Sequence, residues 1–181
     1  MTMLASPPTP VRWPYAAILL SLFMIAAAHA FETFVHLFPC TLCLRQREVY
    51  WAAAGLAIAG LFVSWRWPFA RLLPTLNTLL GVIFLAGAGV AAYHAGVEWG
   101  VFPAPDTCVA GSTEGLDGGL LDDLSKPMVI GSCTEAPWRF LGLSLAGWNA
   151  LASIGFAGVS FISARRPISE ETANERAETL S

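Results

Sequence analysis

The sequence predicts an all-α membrane protein, a four-transmembrane-helix bundle with two outer cysteine-bearing loops. Three observations predict it. Charged residues fill only 13% of the 181 positions and hydrophobic residues 55%. A soluble domain carries about 25% charged residues, and half that number leaves a water-facing surface uncovered. Four apolar stretches are each long enough to cross a bilayer, which takes roughly 17–25 residues. The four cysteines, at 40, 43, 108 and 133, fall between those stretches rather than within them.

The stretches run from about Pro14 to Phe31, Glu48 to Trp65, Leu76 to Val97 and Leu143 to Ser163. Lipid offers the backbone no hydrogen-bond partners, so each run must satisfy its own and is expected to be a helix. Each is apolar around its whole circumference, so periodicity does not separate a lipid-facing side from a buried one. Gly81, Gly87, Gly89, Gly155 and Gly158 either let helices approach closely or are ordinary membrane-helix glycines. The sequence leaves both readings open.

Basic residues near helix ends mark the cytoplasmic side. Arg12 precedes the first run, Arg66 and Arg71 lie in the link after the second, and Arg165 and Arg166 follow the fourth. Both termini are therefore expected inside, with a membrane domain over 14–163 flanked by a disordered segment 1–13 and a tail 164–181. The outer loops fall at about 32–47, with Cys40 and Cys43, and about 98–142, with Cys108 and Cys133. Arg45 and Arg47 break the charge rule beside the first cysteine pair, which suggests a local task for at least one of them. Arg12, an apolar stretch and Ala28-His29-Ala30 also fit a cleaved signal peptide; the cysteine loops face out under either reading.

The second outer loop is acidic, and Leu116, Leu120, Leu121 and Leu124 fit either a short surface helix or a loop packed on the bundle. The formal charge of −3 and the absence of a basic stripe give no reason to expect a nucleic-acid partner. The prolines at 7, 8 and 10 and the polar stretch from Pro167 to Ser181 look disordered.

The cysteines sit on the side where thiols are oxidised. Four cysteines allow three connectivities. Cys40 and Cys43 form a C-x-x-C pair, and Cys108 and Cys133 could close a ring of about 26 residues. Attack on a disulfide needs a thiolate, and the leaving sulfur must leave readily. Pro39 precedes Cys40 and the chain then turns helical; the positive end of a helix lowers a thiol pKa, and Arg45 and Arg47 add charge. Two structural disulfides remain an alternative. Zinc prefers two tight pairs where this chain has one, so no metal is expected. Haem attachment needs a histidine after the second cysteine, and residue 44 is Leu.

The stretch Pro39-Cys40-Thr41-Leu42-Cys43-Leu44-Arg45-Gln46-Arg47 resembles the bacterial disulfide bond formation protein B (DsbB) family, whose pattern is C-x-L-C followed by x-x-Q-R. Ala92-Tyr93-His94 and Trp138-Arg139-Phe140-Leu141-Gly142-Leu143 extend the likeness, which covers about 14–163. The resemblance implies an inner-membrane thiol oxidoreductase that reoxidises a periplasmic thioredoxin-like, DsbA-type protein and passes electrons to a membrane quinone, ubiquinone or menaquinone. It implies that Cys108 receives the partner's thiolate and Cys133 relays to Cys40. Cys43 is then released as a thiolate facing the quinone, Arg47 holds that thiolate and the quinone, and His94 lies near the ring. Without the resemblance, an interfacial arginine contacting lipid headgroups is the lesser alternative for Arg47. His29 is expected to face the bundle, and His36 to be a solvated loop residue. Glu32 and Glu98 could pair with nearby bases. A vitamin K epoxide reductase-like quinone reductase is a second enzyme reading. A transporter or assembly factor stapled by disulfides is a third, weakened by a thin polar inventory of His29, Asn77, Thr78 and Asn149.

Overall fold

The computed structural model describes residues 11–36, 39–67, 72–108 and 132–165. Four helices dominate: α1 (Arg12–Val35), α2 (Thr41–Arg66), α3 (Leu72–Glu98) and α4 (Leu145–Arg165). Each is long and apolar enough to cross a membrane. At about 1.5 Å per residue they span roughly 30–40 Å, enough for a hydrocarbon core of about 30 Å. The chain is a multi-pass membrane protein.

Each apolar run forms a helix; the first three helices outrun their runs, while α4 starts two residues inside its run, whose Leu143 and Ser144 form a strand. The largest difference is in α2, which begins at Thr41 rather than near Glu48. Cys40 supplies the start: its backbone is extended, and its sulfur accepts the Cys43 N–H at 3.3 Å. Arg45 and Glu48 then pair on an exposed face at 2.9 Å, so the charges that end an apolar run do not end the helix. At the other side α1 continues to Val35 and closes on His36, which is exposed and left-handed (φ 55°). The expected loop over 32–47 thus contracts to the link between α1 and α2, and Cys43, Arg45 and Arg47 are helical.

Consecutive helices pack as neighbours, and α3 against α4 is the most extensive contact. The core gathers Leu76, Leu80 and Phe84 of α3, Tyr50, Ala53 and Ala57 of α2, Ala157 of α4, and Trp13 and Ala17 of α1. The indole N–H of Trp13 donates to Ser160 Oγ at 2.8 Å and ties α1 to α4. The glycines divide. A Cβ on Gly81 would stand 2.8 Å from the Phe161 ring and one on Gly87 2.7 Å from Val49, whereas Gly89, Gly155 and Gly158 face open space. His29 corrects an expectation: it is exposed rather than bundle-facing and lies 3.5 Å from Glu32 on the next turn. A histidine at the bundle's end can reach water there, so nothing requires it to turn inward.

Before α4 the chain makes a small hairpin, β1 (Arg139–Phe140) with β2 (Leu143–Ser144). Its two-residue turn, Leu141 and Gly142, has positive φ at both positions (51° and 83°), as a tight hairpin requires. The proline-rich start, the leucines at 116–124 and the stretch from Pro167 lie outside the described residues.

Candidate active site

Cys40 and Cys43 meet at the first turn of α2, with their sulfurs 2.9 Å apart and not bonded. Cys40 is buried, at 6% exposure. The Cys43 thiol's hydrogen bond is the main cause that holds the Cys40 thiol well below its usual range, against burial, which raises it. His94 and the Cys43 backbone N–H lower it further. Cys40 therefore carries the thiolate character that the helix N-terminus favours.

The second pair is a disulfide, Cys108–Cys133, with Cα atoms 5.7 Å apart. It rests on the start of α2: Thr41 Oγ1 lies 3.2 Å from Cys108 Sγ and 3.8 Å from Cys133 Sγ. Cys133 shares a buried cluster with Cys40 and Val97, and Cys43 and Cys108 pack against it. The chain leaving α3 is folded back to make this contact. Gly100 turns it (φ 72°), Phe102 stacks on Tyr93, and the Tyr93 hydroxyl donates to the Pro103 carbonyl at 3.0 Å. At Gly96 a Cβ would sit 2.4 Å from the Phe102 ring, so a larger residue would displace that ring.

Beneath the first pair, α3 contributes His94, buried at 3% exposure. Its Nε2 lies 3.6 Å from Cys40 Sγ and 3.8 Å from Glu98 Oε1, and its Nδ1 lies 2.8 Å from Gln46 Nε2. The Asn149 amide N–H donates to Gln46 Oε1, and the Tyr50 hydroxyl donates to Asn149 Oδ1. Arg47 donates to Glu32 Oε2 at 2.8 Å and to the Ala28 carbonyl at 3.4 Å, so its hydrogen bonds reach α1. A cavity of about 570 Å³ opens under these groups, lined by Cys40, Cys43, Arg47, His94 and Glu98, with Met24, Phe31, Leu145 and Trp148 among its apolar walls. Its size is that of a small-molecule site.

The six residues singled out from the sequence thus gather at one end of the bundle. Cys40, Cys43, Arg47 and His94 line the cavity, and the Cys108–Cys133 disulfide lies against the first pair. Sequence reading passed over Gln46, Tyr50 and the role of Asn149. Tyr50 and Asn149 offered one signal, an uncharged polar group inside an apolar run, and Gln46, which precedes its run, stood only in the x-x-Q-R pattern. Cys40, Cys43 and His94 have donor atoms within 4.8 Å of one another, which is the proximity a soft metal would need. Two thiolates on one tetrahedral zinc stand about 3.8 Å apart, from a Zn–S length near 2.3 Å, so the 2.9 Å sulfur contact fits a closing disulfide better.

Comparison with known proteins agrees with this chemistry. The family described as disulfide bond formation protein DsbB matches residues 11–163. A disulfide bond formation protein B of Dechloromonas aromatica (strain RCB) is 36% identical over 159 residues, 83% of this chain and 88% of that protein. One of Nitrosococcus oceani is 31% identical over 160 residues, 82% and 88% of the two chains. One of Nitrosospira multiformis is 27% identical over 169 residues, 87% and 93%. With two cysteine pairs in contact at one end of four membrane-crossing helices, the chain belongs to the DsbB family of disulfide-generating membrane oxidoreductases.

Proposed function

We propose that this protein reoxidises a periplasmic DsbA-like dithiol protein and passes the electrons through its two cysteine pairs to a membrane quinone, from a multi-pass position in the bacterial inner membrane with both termini cytoplasmic. The observation that carries the reading is the contact between a disulfide, Cys108–Cys133, and a thiol pair, Cys40 and Cys43, above an apolar cavity.

A partner thiolate attacks Cys108, the Cys108–Cys133 bond breaks, and Cys133 leaves as a thiolate. Cys133 attacks Cys40 of an oxidised first pair, and Cys43 leaves as a thiolate. The partner's second thiolate displaces Cys108, which attacks Cys133 and releases Cys40. The net result is an oxidised partner, a restored Cys108–Cys133 disulfide and a reduced first pair, which is the set of bonds present here.

The residues around the cavity fit a quinone. Its walls are apolar, Arg47 offers a donor, and Glu98 Oε2 is a buried acceptor with no hydrogen-bond partner among the described residues. A quinone bound there would accept the two electrons released when the Cys40 and Cys43 thiolates close their disulfide, together with two protons equivalent to those the partner's thiols gave up. Arg47 would hold the polar edge of the ring and the Cys43 thiolate, and His94 would support Cys40.

The test mixes purified protein with a reduced thioredoxin-like periplasmic protein and a soluble quinone and follows quinone absorbance. Quinone loss that needs both proteins and stops in Cys43→Ser is the expected result. Loss that persists in Cys43→Ser would remove the first pair from the path.

A further inference from the structure

The hydrogen bonds behind His94 form one line across three helices. Ser153 of α4, Tyr50 of α2, Asn149 of α4, Gln46 of α2 and His94 of α3 follow one another in that order, with Tyr50 Oη 3.0 Å from Ser153 Oγ and Gln46 Nε2 2.8 Å from His94 Nδ1. Ser153, Tyr50, Gln46 and His94 are buried. We propose that Gln46, Asn149 and Tyr50 are positioning residues that fix His94 as its Nε2–H tautomer, so that the ring donates toward the Cys40 sulfur.

An amide has a donating end and an accepting end, and a neutral imidazole has one of each. Asn149 donates to the Gln46 oxygen, which turns the Gln46 nitrogen toward His94. An amide nitrogen only donates, so Nδ1 accepts and the ring proton sits on Nε2. The line has one other self-consistent polarity, with both amides reversed and the proton on Nδ1. The surroundings of Nε2 select between them. Its neighbours are Cys40 Sγ at 3.6 Å and Glu98 Oε1 at 3.8 Å; a thiolate and a carboxylate only accept, so a bare nitrogen beside the ionised pair would face them with nothing to share. At the far end the Tyr50 hydroxyl donates to Asn149 Oδ1, in keeping with the same polarity. The ring orientation at the cysteine pair is thus set from α4, by residues that touch neither sulfur.

The inference rests on the proposed thiol chemistry only for its purpose; the tautomer is read without turnover. The protein is labelled with ¹⁵N-histidine, its first pair is reduced in detergent micelles, and the His94 signals are identified by their absence in His94→Gln. The expected wild-type pattern is a protonated Nε2 and an unprotonated Nδ1. Asn149→Asp, which does not touch His94, can no longer donate to Gln46. The Gln46 amide must then reverse, and a proton is expected on Nδ1. Gln46→Glu asks the same question one link closer should Asn149→Asp fail to fold, and predicts the same proton. Where Nε2–H turns away, the pH midpoint of Cys40 thiolate absorbance, read in a Cys43→Ser background, should rise by about one unit, a tenfold fall in thiolate below the midpoint. Among the described residues, the other titratable and charged groups lining the cavity with Cys40 are Arg47, Tyr50, Glu98 and Glu135, so Asn149→Leu, which adds no charge, is the control for the field of a new carboxylate. A wild-type Nδ1–H signal, or an unchanged His94 spectrum in both carboxylate variants, overturns the proposal. Failure of quinone reduction in the wild type would instead overturn the oxidase reading and leave the tautomer result standing.

Discussion

The Arg47–Glu32 pair joins α1 to α2 beside the cavity, and its strength follows from its position. The Nη1–Oε2 distance is 2.8 Å, with the arginine side chain 16% and the glutamate side chain 32% exposed. At an effective dielectric near 20 the bare attraction is about 6 kcal/mol. Lost hydration and screening remove most of it, because both groups lie at the boundary between bundle and water. Breaking a fully buried pair costs about 3–5 kcal/mol, and exposed pairs measure about 0.2–1 kcal/mol. This pair falls between, so a coupling energy of about 1–3 kcal/mol is expected. The cycle uses Glu32→Ala, Arg47→Ala and the double variant. Folded fraction is followed by tryptophan fluorescence through a reversible sodium dodecyl sulfate titration in mixed micelles. Glu32→Gln keeps an acceptor without its charge and should lose about half as much as Glu32→Ala, the difference between a charge-assisted and a neutral hydrogen bond. Additive single effects, within about 0.3 kcal/mol, would mean that the contact does not hold α1 in place. The Ala28 carbonyl alone would then account for the position of Arg47.

Two further outcomes follow from single sites. Because the Cys40 pKa is depressed, its thiolate is present above the lowered value and is lost only as pH falls through it. Alkylation of Cys40 in the reduced protein, followed by mass spectrometry, should therefore change little between neutral and mildly acidic pH; a tenfold fall per unit over that range, as for an ordinary thiol near 8.5, would contradict the depression. Gly87→Ala should destabilise by about 1–3 kcal/mol, since its Cβ would stand 2.7 Å from a methyl of the stiff, β-branched Val49. Gly89→Ala, two residues on with nothing within 4 Å, should be neutral or slightly stabilising in the same detergent titration, and equal losses at both sites would refute the packing argument.

The four helices were legible because a bilayer demands long apolar runs, and their ends were less so because the demand stops at the interface. Arg45 and Glu48 bound the second apolar run at its start, yet both lie within α2 as a surface pair. The absence of an amphipathic face hid which glycines pack, and the distinction between Gly87 and Gly89 needed the neighbouring helix. The C-x-x-C pair could be placed at a helix start because Pro39 and the apolar run fix where the chain turns helical. The partnership of Cys108 with Cys133 was one of three connectivities until the folded-back chain brought them together. His29 was misread because a polar residue near a span's end can as well reach water as the core. Gln46, Tyr50 and Asn149 were beyond reach for a different reason: their meaning lies in hydrogen bonds across as many as 103 residues of chain, which no local pattern encodes.

The same physics that makes the helices also concentrates the polar groups. Inside an apolar bundle an amide or hydroxyl has no water to turn to, and leaving it unpaired is costly. Tyr50, Gln46 and Asn149 satisfy one another and leave one interaction over, which falls on His94. Glu32 and Arg47 do the same on the α1 side of the cavity. Both sets sit where α2 starts and α3 ends, which is also where Cys40 caps a helix and becomes the more acidic thiol. On the proposed reading this end must serve a water-soluble dithiol from above and a lipid-soluble acceptor from the side. The disulfide then belongs on the outer surface of the first pair and the cavity below it, and an arrangement that interchanged them would leave each pair facing the wrong solvent for its reaction.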